Sequence, residues 1–343
     1  MHRRFWTIAA LGLLLLARAA SAQEVEAFYA AHPLTITVAS EADGAYAAYT
    51  RTLAAHLVRY LPGHPAIRLR FMGENGGLAA AHYIADAAPR DGSAIAALRA
   101  SNLVDPLLDP AGAAQYDPRR LDWIGNISQQ HGTCFSWATR PVQGLEEARR
   151  REITVGASSL LANGGTIPRI LNALLGTHFR IVTGYATPTV LAAALESGAV
   201  EALCGISYST ILANQPDWVG QKRILFFAQT GLERHKALPE VPLVTDYATS
   251  DSQRLVLRLL DARERMGRPY AAPGGVPADR LAALRQAFDR TMQDPDYRAE
   301  AARRHMDVDP SDHDAMSATV SEAYAMPPET LAEARKLLAA PAK

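Results

Sequence analysis

Three consecutive stretches decide the fold: Leu34-Thr-Ile-Thr-Val-Ala39, Ser40-Glu-Ala-Asp43-Gly44, and Ala45 to Tyr60. The first alternates β-branched and apolar residues and predicts a strand. The second has the Ser, Asp and Gly chemistry of a turn. The third places Tyr46, Tyr49, Leu53, Leu57 and Tyr60 at spacings of three and four, which predicts an amphipathic helix. Working outward, the same unit recurs. Ile67–Phe71 reads as a strand, Gly73–Gly77 as a loop, Leu78–Ala88 as a helix and Ser93–Leu98 as a third strand. Such β-loop-α repetition argues for a doubly wound α/β sheet.

A second set follows. Cys134–Ala138, Ile153–Gly156, Phe179–Val182, Ala202–Gly205 and Arg223–Ala228 read as strands. Leu145–Arg151, Thr166–Leu175 and Pro188–Glu196 read as helices, with Pro168 placed in a first turn, where a missing N–H is harmless. Two α/β lobes joined by crossing strands put a cleft between them. The loops Ser40–Gly44, Gly73–Gly77, Ser158–Thr166 and Gly184–Thr187 each join a strand's C-terminal end to a helix start. Ligands of open α/β sheets bind at those ends, and free N–H groups with the helix dipole favour an anion there. Ordinary turn chemistry explains any one such loop; several that converge point to binding.

The chain has 343 residues and equal numbers of acids and bases. This length suggests two domains. Residues 1–22, within MHRRFWTIAALGLLLLARAASAQ, read as a signal peptide: Arg3-Arg4, an apolar stretch, then Ala20-Ser-Ala22. The apolar stretch is shorter than the roughly 20 residues a membrane span needs. No cysteine follows the cleavage site, so the expected mature chain starts at Gln23 without a lipid anchor. Cleavage removes Arg3, Arg4 and Arg18 and no acid, leaving a formal charge of −3. That composition argues against nucleic acid as a partner, which needs a basic face.

Enzymatic motifs are weak. Gly156-Ala-Ser158-Ser-Leu160 starts like a nucleophile elbow but ends in Leu160 instead of Gly. No histidines show a metal-binding spacing, and Gly73–Gly77 lacks the Lys and Ser/Thr of a phosphate loop. Cys134 and Cys204 are the only cysteines, each in an expected strand. An oxidising compartment would allow a bridge, and two separate buried thiols are the alternative. Asp43 reads as a helix cap, Arg149–Arg151 as a solvated helix end, and Trp123 and Trp137 as core.

Taken together, the chain resembles the periplasmic receptors of tripartite tricarboxylate transporters, the Bug family. The likeness covers nearly the whole mature chain. It rests on the order of Leu34–Arg51, Gly73–Leu98, Tyr116–Gly125, Ile153–Ser158, Leu171–Gly176, Val182–Tyr185, Leu203–Gly205, Leu238–Leu243, Gly267–Pro273 and Val276-Pro277. The resemblance implies an α/β type II periplasmic-binding-protein fold, with lobe one at residues 23–130 plus 230–310 and lobe two at 131–229. A C-terminal helical segment follows at 311–343. It implies a periplasmic, monomeric receptor without catalysis or cofactor that passes a small di- or tricarboxylate to membrane permease subunits. A sensor-kinase partner is the alternative of the same fold, and a hydrolase using Ser158 or Ser159 is the enzymatic one. Carried over by position, the ligand residues are Ser40, Asp43, Gly44, Tyr46, Arg99 and Ser101 from lobe one. From lobe two they are Ser158, Asn163, Gly164, Gly165, Thr166, Tyr185, Thr187 and Ser207.

One departure stands out. Relatives carry a Gly-rich first loop of the form P-x-G-G-x-x-D, whereas Ser40–Tyr46 here holds one Gly and two acids. Carboxylates repel an anion, so three resolutions are open: Glu41 and Asp43 point away, Arg99 compensates, or the receptor takes a neutral or amino-bearing ligand.

Overall fold

The computed structural model describes residues 21–339 except 44, 109–115, 159, 161–162 and 186. The export signal expected at 1–22 therefore lies almost wholly outside the described residues. In chain order the strands are β1 (Leu34–Val38), β2 (Ile67–Phe71), β3 (Ala94–Ala97), β4 (Asp122–Asn126), β5 (Gly132–Trp137), β6 (Ile153–Gly156), β7 (Phe179–Val182), β8 (Ala202–Ser207), β9 (Ile224–Gln229), β10 (Pro269–Ala272) and β11 (Ser311–Asp312). Helical residues 21–31 form α1. Then come α2 (Ala45–Leu57), α3 (Leu78–His82), α4 (Ala100–Leu108), α5 (Leu145–Arg150), α6 (Asn163–Leu175), α7 (Pro188–Ser197), α8 (Tyr208–Asn214), α9 (Pro216–Gly220), α10 (Asp251–Arg265), α11 (Ala278–Gln293), α12 (Pro295–Arg303), α13 (His313–Tyr324) and α14 (Pro328–Ala339).

Two sheets result, ordered β11-β4-β10-β3-β1-β2 and β7-β6-β8-β5-β9. Each is parallel at its heart: β1 runs parallel to β2 and β3, and β6 to β7 and β8. Each also takes antiparallel strands, β10 against β3 and β4, and β5 against β8 and β9. The chain has the α/β architecture of two doubly wound lobes. β1 is covered on both faces, as central strands of such sheets are, so Thr37 is as buried as Ile36 despite the alternating sequence.

One apolar core lies inside lobe one, with Tyr29, Ile36, Leu53, Tyr270, Phe288 and Tyr297. A second lies in lobe two around Phe135, Leu195, Leu203 and Trp218. A third runs beneath both lobes: Leu103 and Val104 of α4, Val155 and Phe179 of lobe two, Val256 and Leu259 of α10, and Ala334 and Leu337 of α14. The C-terminal residues thus supply strand β11 to sheet one and pack α14 against α4, α10 and α6.

Several boundaries differ from the sequence reading. α6 starts at Asn163, so Asn163, Gly164 and Gly165 are helical and Pro168 sits beyond the first turn. Packing against β8 overrides the weak helix propensity of the glycine pair. The helix expected over 78–88 is α3 followed by a π-helical turn at Tyr83–Ala87. β4, β10 and α1 carried no clear periodic signal.

Candidate functional site

The site is built where both sheets present the C-terminal ends of their parallel strands. On lobe one, Ser40 follows β1 and Arg99 follows β3. Arg268 precedes β10, and because β10 is antiparallel to β3 it falls at the same edge. The Leu98 amide donates to the Pro269 carbonyl at 3.0 Å, which sets Arg99 beside Arg268. Both approach the Tyr46 ring, in the first turn of α2. The guanidinium carbon of Arg268 is 4.4 Å from its centroid and that of Arg99 is 5.8 Å away. The Tyr46 hydroxyl donates to the Gly267 carbonyl at 3.0 Å, which fixes the ring. Among the described residues, neither Arg99 Nε nor Arg268 Nε has a hydrogen-bond partner, although both atoms are buried. With the Gln130 amide oriented to satisfy its neighbours, its oxygen accepts from both terminal nitrogens of Arg268.

The acids of the first loop are turned elsewhere. A Cβ at Gly73 would collide with the Glu41 carboxylate, so that carboxylate lies over the loop after β2, and the Arg99 side chain reaches the Gly77 end of the same loop. Asp43 is exposed. Ser40 is buried and its hydroxyl donates to the Glu41 carbonyl at 3.0 Å. Gly44, where the helix capped by Asp43 was expected to start, and the Ser101 side chain lie outside the described residues.

On lobe two, the start of α6 is pressed onto β8. Gly205 has φ +71°, and a Cβ there would come 2.7 Å from the Asn163 carbonyl carbon and oxygen. A Cβ on Gly164 would meet the Cys204 and Gly156 carbonyls at 3.5 Å, ordinary contact. Thr166 donates to the Leu160 carbonyl at 3.4 Å. Ser207 caps α8, accepting from the Thr210 amide at 3.2 Å, and Thr187 caps α7, accepting from Val190 at 3.3 Å. Both hydroxyls therefore have a local structural role.

Two adjoining cavities gather the lobe-two residues. One of about 220 Å³ is lined by Gln130, Gly132, Asn163, Gly205, Ser207 and Thr210, with Ile206. The other, about 350 Å³, takes in Ser158, Tyr185 and Thr187 among apolar side chains. Ile206 and Thr210 line both. The structure thus groups Asn163 and Ser207 in one chamber and Ser158, Tyr185 and Thr187 in the next. It leaves Asp43 out in solvent. Arg268 and Gln130 were not legible as site residues: their approach to Arg99 and Asn163 is made by strand pairing and the crossing between lobes.

The crossing itself holds titratable groups. His131 immediately precedes β5 and His235 follows β9, with ring centroids 5.0 Å apart. Burial lowers both pKa values. Asp307 lies near His235, and burial raises its carboxyl. A further gap of about 410 Å³ between the lobes is lined by Tyr208 and Leu212 of lobe two and His305 and Asp307 of lobe one. Cys134 and Cys204 are directly opposed across β5 and β8 and form a disulfide. Among the described residues, no group of three His, Cys, Asp or Glu side chains could hold a metal, and no helix is long and apolar enough to cross a membrane.

The sequence matches no family model and no curated protein. The structure is similar to a TctC solute-binding protein from Polaromonas, with TM-score 0.68, 17% identity, and 90% of this chain and 98% of that chain covered. It is similar to the periplasmic binding protein BugD at TM-score 0.56 and 19% identity, covering 89% and 97%. MatC from Rhodopseudomonas palustris with bound malate gives TM-score 0.54 and 16% identity, covering 90% and 99%; an R. palustris protein with adipate gives 0.58 and 17%, covering 89% and 97%. The chain has the fold of the TctC and Bug periplasmic binding proteins.

Proposed function

We propose that this chain is a periplasmic solute-binding receptor, not an enzyme, that closes two lobes on a small organic carboxylate and delivers it to a tripartite tricarboxylate-type membrane permease. The observation that carries the reading is the arginine pair. Arg99 and Arg268 both approach the Tyr46 ring at the C-terminal edge of lobe one's parallel strands, each with a buried, unpartnered Nε. A guanidinium fork is suited to a carboxylate, and buried donors left unpaired favour a ligand that satisfies them. Across the crossing, the start of α6 offers N–H groups and a favourable dipole. Structural neighbours carrying malate and adipate support the same ligand class. Of the three resolutions of the acidic first loop, two act together in this reading. Glu41 is turned onto the Gly73 loop, and the arginines supply the positive charge, which disfavours a cationic ligand.

Ligand contacts with both lobes would shift an existing open–closed equilibrium toward the closed state. The test is a melting-temperature screen of residues 23–343 against dicarboxylates, tricarboxylates, aromatic acids and amino acids. A stabilisation by carboxylates is expected, since a ligand that binds only the folded state raises the melting temperature. Stabilisation by amino acids or cations alone would overturn the carboxylate assignment. Arg99→Ala should weaken carboxylate binding by about 1.5–3 kcal/mol, the usual worth of a charged hydrogen bond. Unchanged affinity would remove Arg99 from the site.

A further inference from the structure

Resting on that receptor reading, we infer the class of solute: an acid with a single carboxylate and a compact apolar body the size of an aromatic ring. The larger lobe-two chamber is the reason. Its volume is about 350 Å³, and its walls include Phe135, Tyr185, Leu191, Leu203, Ile206 and Trp218. Among the described residues, no Asp, Glu, Lys, Arg or His lines it; its polar groups are hydroxyls, as on Ser158 and Thr187, and the amides of Asn214 and Gln215. A cavity of about 150 Å³ holds benzene, so this one holds a ring with substituents.

The chamber adjoins the smaller polar chamber, and Ile206 and Thr210 line both. The polar chamber is also lined by Gln130, which accepts from Arg268. The inferred path of the solute runs from Arg268 past Gln130 and the polar chamber to the apolar one. A solute lying along it keeps its carboxylate at the arginine end and buries its body in lobe two. A second or third carboxylate, as in malate or citrate, would enter the apolar chamber without a cation, losing its hydration for no partner.

The experiment is titration calorimetry of residues 23–343 with benzoate, phenylacetate, malate, citrate and adipate, and with the linear series acetate, butyrate and hexanoate. Benzoate or phenylacetate should bind at least about tenfold tighter than malate or citrate. In the linear series affinity should rise about fourfold per methylene, the value for burying a CH₂. Ala192→Phe, which projects a ring from α7 into the chamber, should weaken the aryl acids at least about tenfold. The linear series on the unaltered protein gives the same reading should that variant not fold. Tighter binding of malate, citrate or adipate, with no rise along the series, overturns this inference while the receptor reading stands. Absence of binding by every carboxylate overturns both.

Discussion

At residue 205 only a hydrogen fits. The backbone is in the left-handed region, and a methyl group would press on the Asn163 carbonyl. Gly205→Ala should cost about 1–3 kcal/mol from strain and overpacking together. Because the displaced group is the start of α6, solute affinity should fall as well. A melting curve with a solute titration checks both, and a variant as stable as the parent would contradict the tight seat. The residue scale is also where the sequence was least informative. Gly205 was legible as the end of a strand, not as the floor of a helix. Arg99 was legible as a residue after a strand. Arg268 was not, because its place depends on an antiparallel pairing between distant segments. Asp43 looked like a ligand or cap and stands in solvent.

Among the elements, β5 and β8 matter most, since they lie side by side at the centre of lobe two and β5 leads in from the crossing. The Cys134–Cys204 bridge spans this pair and closes a loop of 70 residues. In the chain-entropy model a loop of that length is worth about 4 kcal/mol, mostly through the unfolded state. Reduction, or a Cys134→Ser, Cys204→Ser double variant, should lower the melting temperature markedly. Calorimetry with and without reductant reads this directly, and an unchanged melting temperature would refute it. Both strands were readable from apolar content, but the bridge stayed open because β8 reaches β5 only after the β6–α6–β7–α7 excursion. The early start of α6 is the same lesson: Asn-Gly-Gly reads as loop by propensity and is helix by packing.

For the whole molecule, the crossing between lobes is the sensitive part. His131 and His235 are held below the ordinary 6.5 by burial. Above that pH they are neutral in both states. As pH falls below 6.5, the unfolded chain takes up protons first, so stability is lost until the depressed folded values are passed. Asp307 acts in the opposite sense. Its burial favours the protonated acid, so it opposes stability once ionised and relieves that opposition as pH falls toward its raised value. Through the two histidines the melting temperature should fall as pH drops below 6.5, and His131→Gln should flatten that fall. A melting temperature that rises as pH drops below 6.5 would reverse the assignment. Closure on solute is a second readout at this scale: X-ray scattering should show a smaller radius of gyration in the bound protein.

The α/β class, the two sets of alternating strands and helices, and most strand ends follow from local patterning, because period-two and period-3.6 hydrophobicity are set by neighbours in the chain. Turn chemistry likewise marked the loops at the strand ends. What only the tertiary structure decided are the contacts between distant segments. These are the arginine pair around Tyr46, the seating of α6 on Gly205, the disulfide across β5 and β8, the turn of Glu41 onto Gly73, and the apolar chamber under α7 and α8. Each depends on strand order and crossover, which no local window of sequence contains.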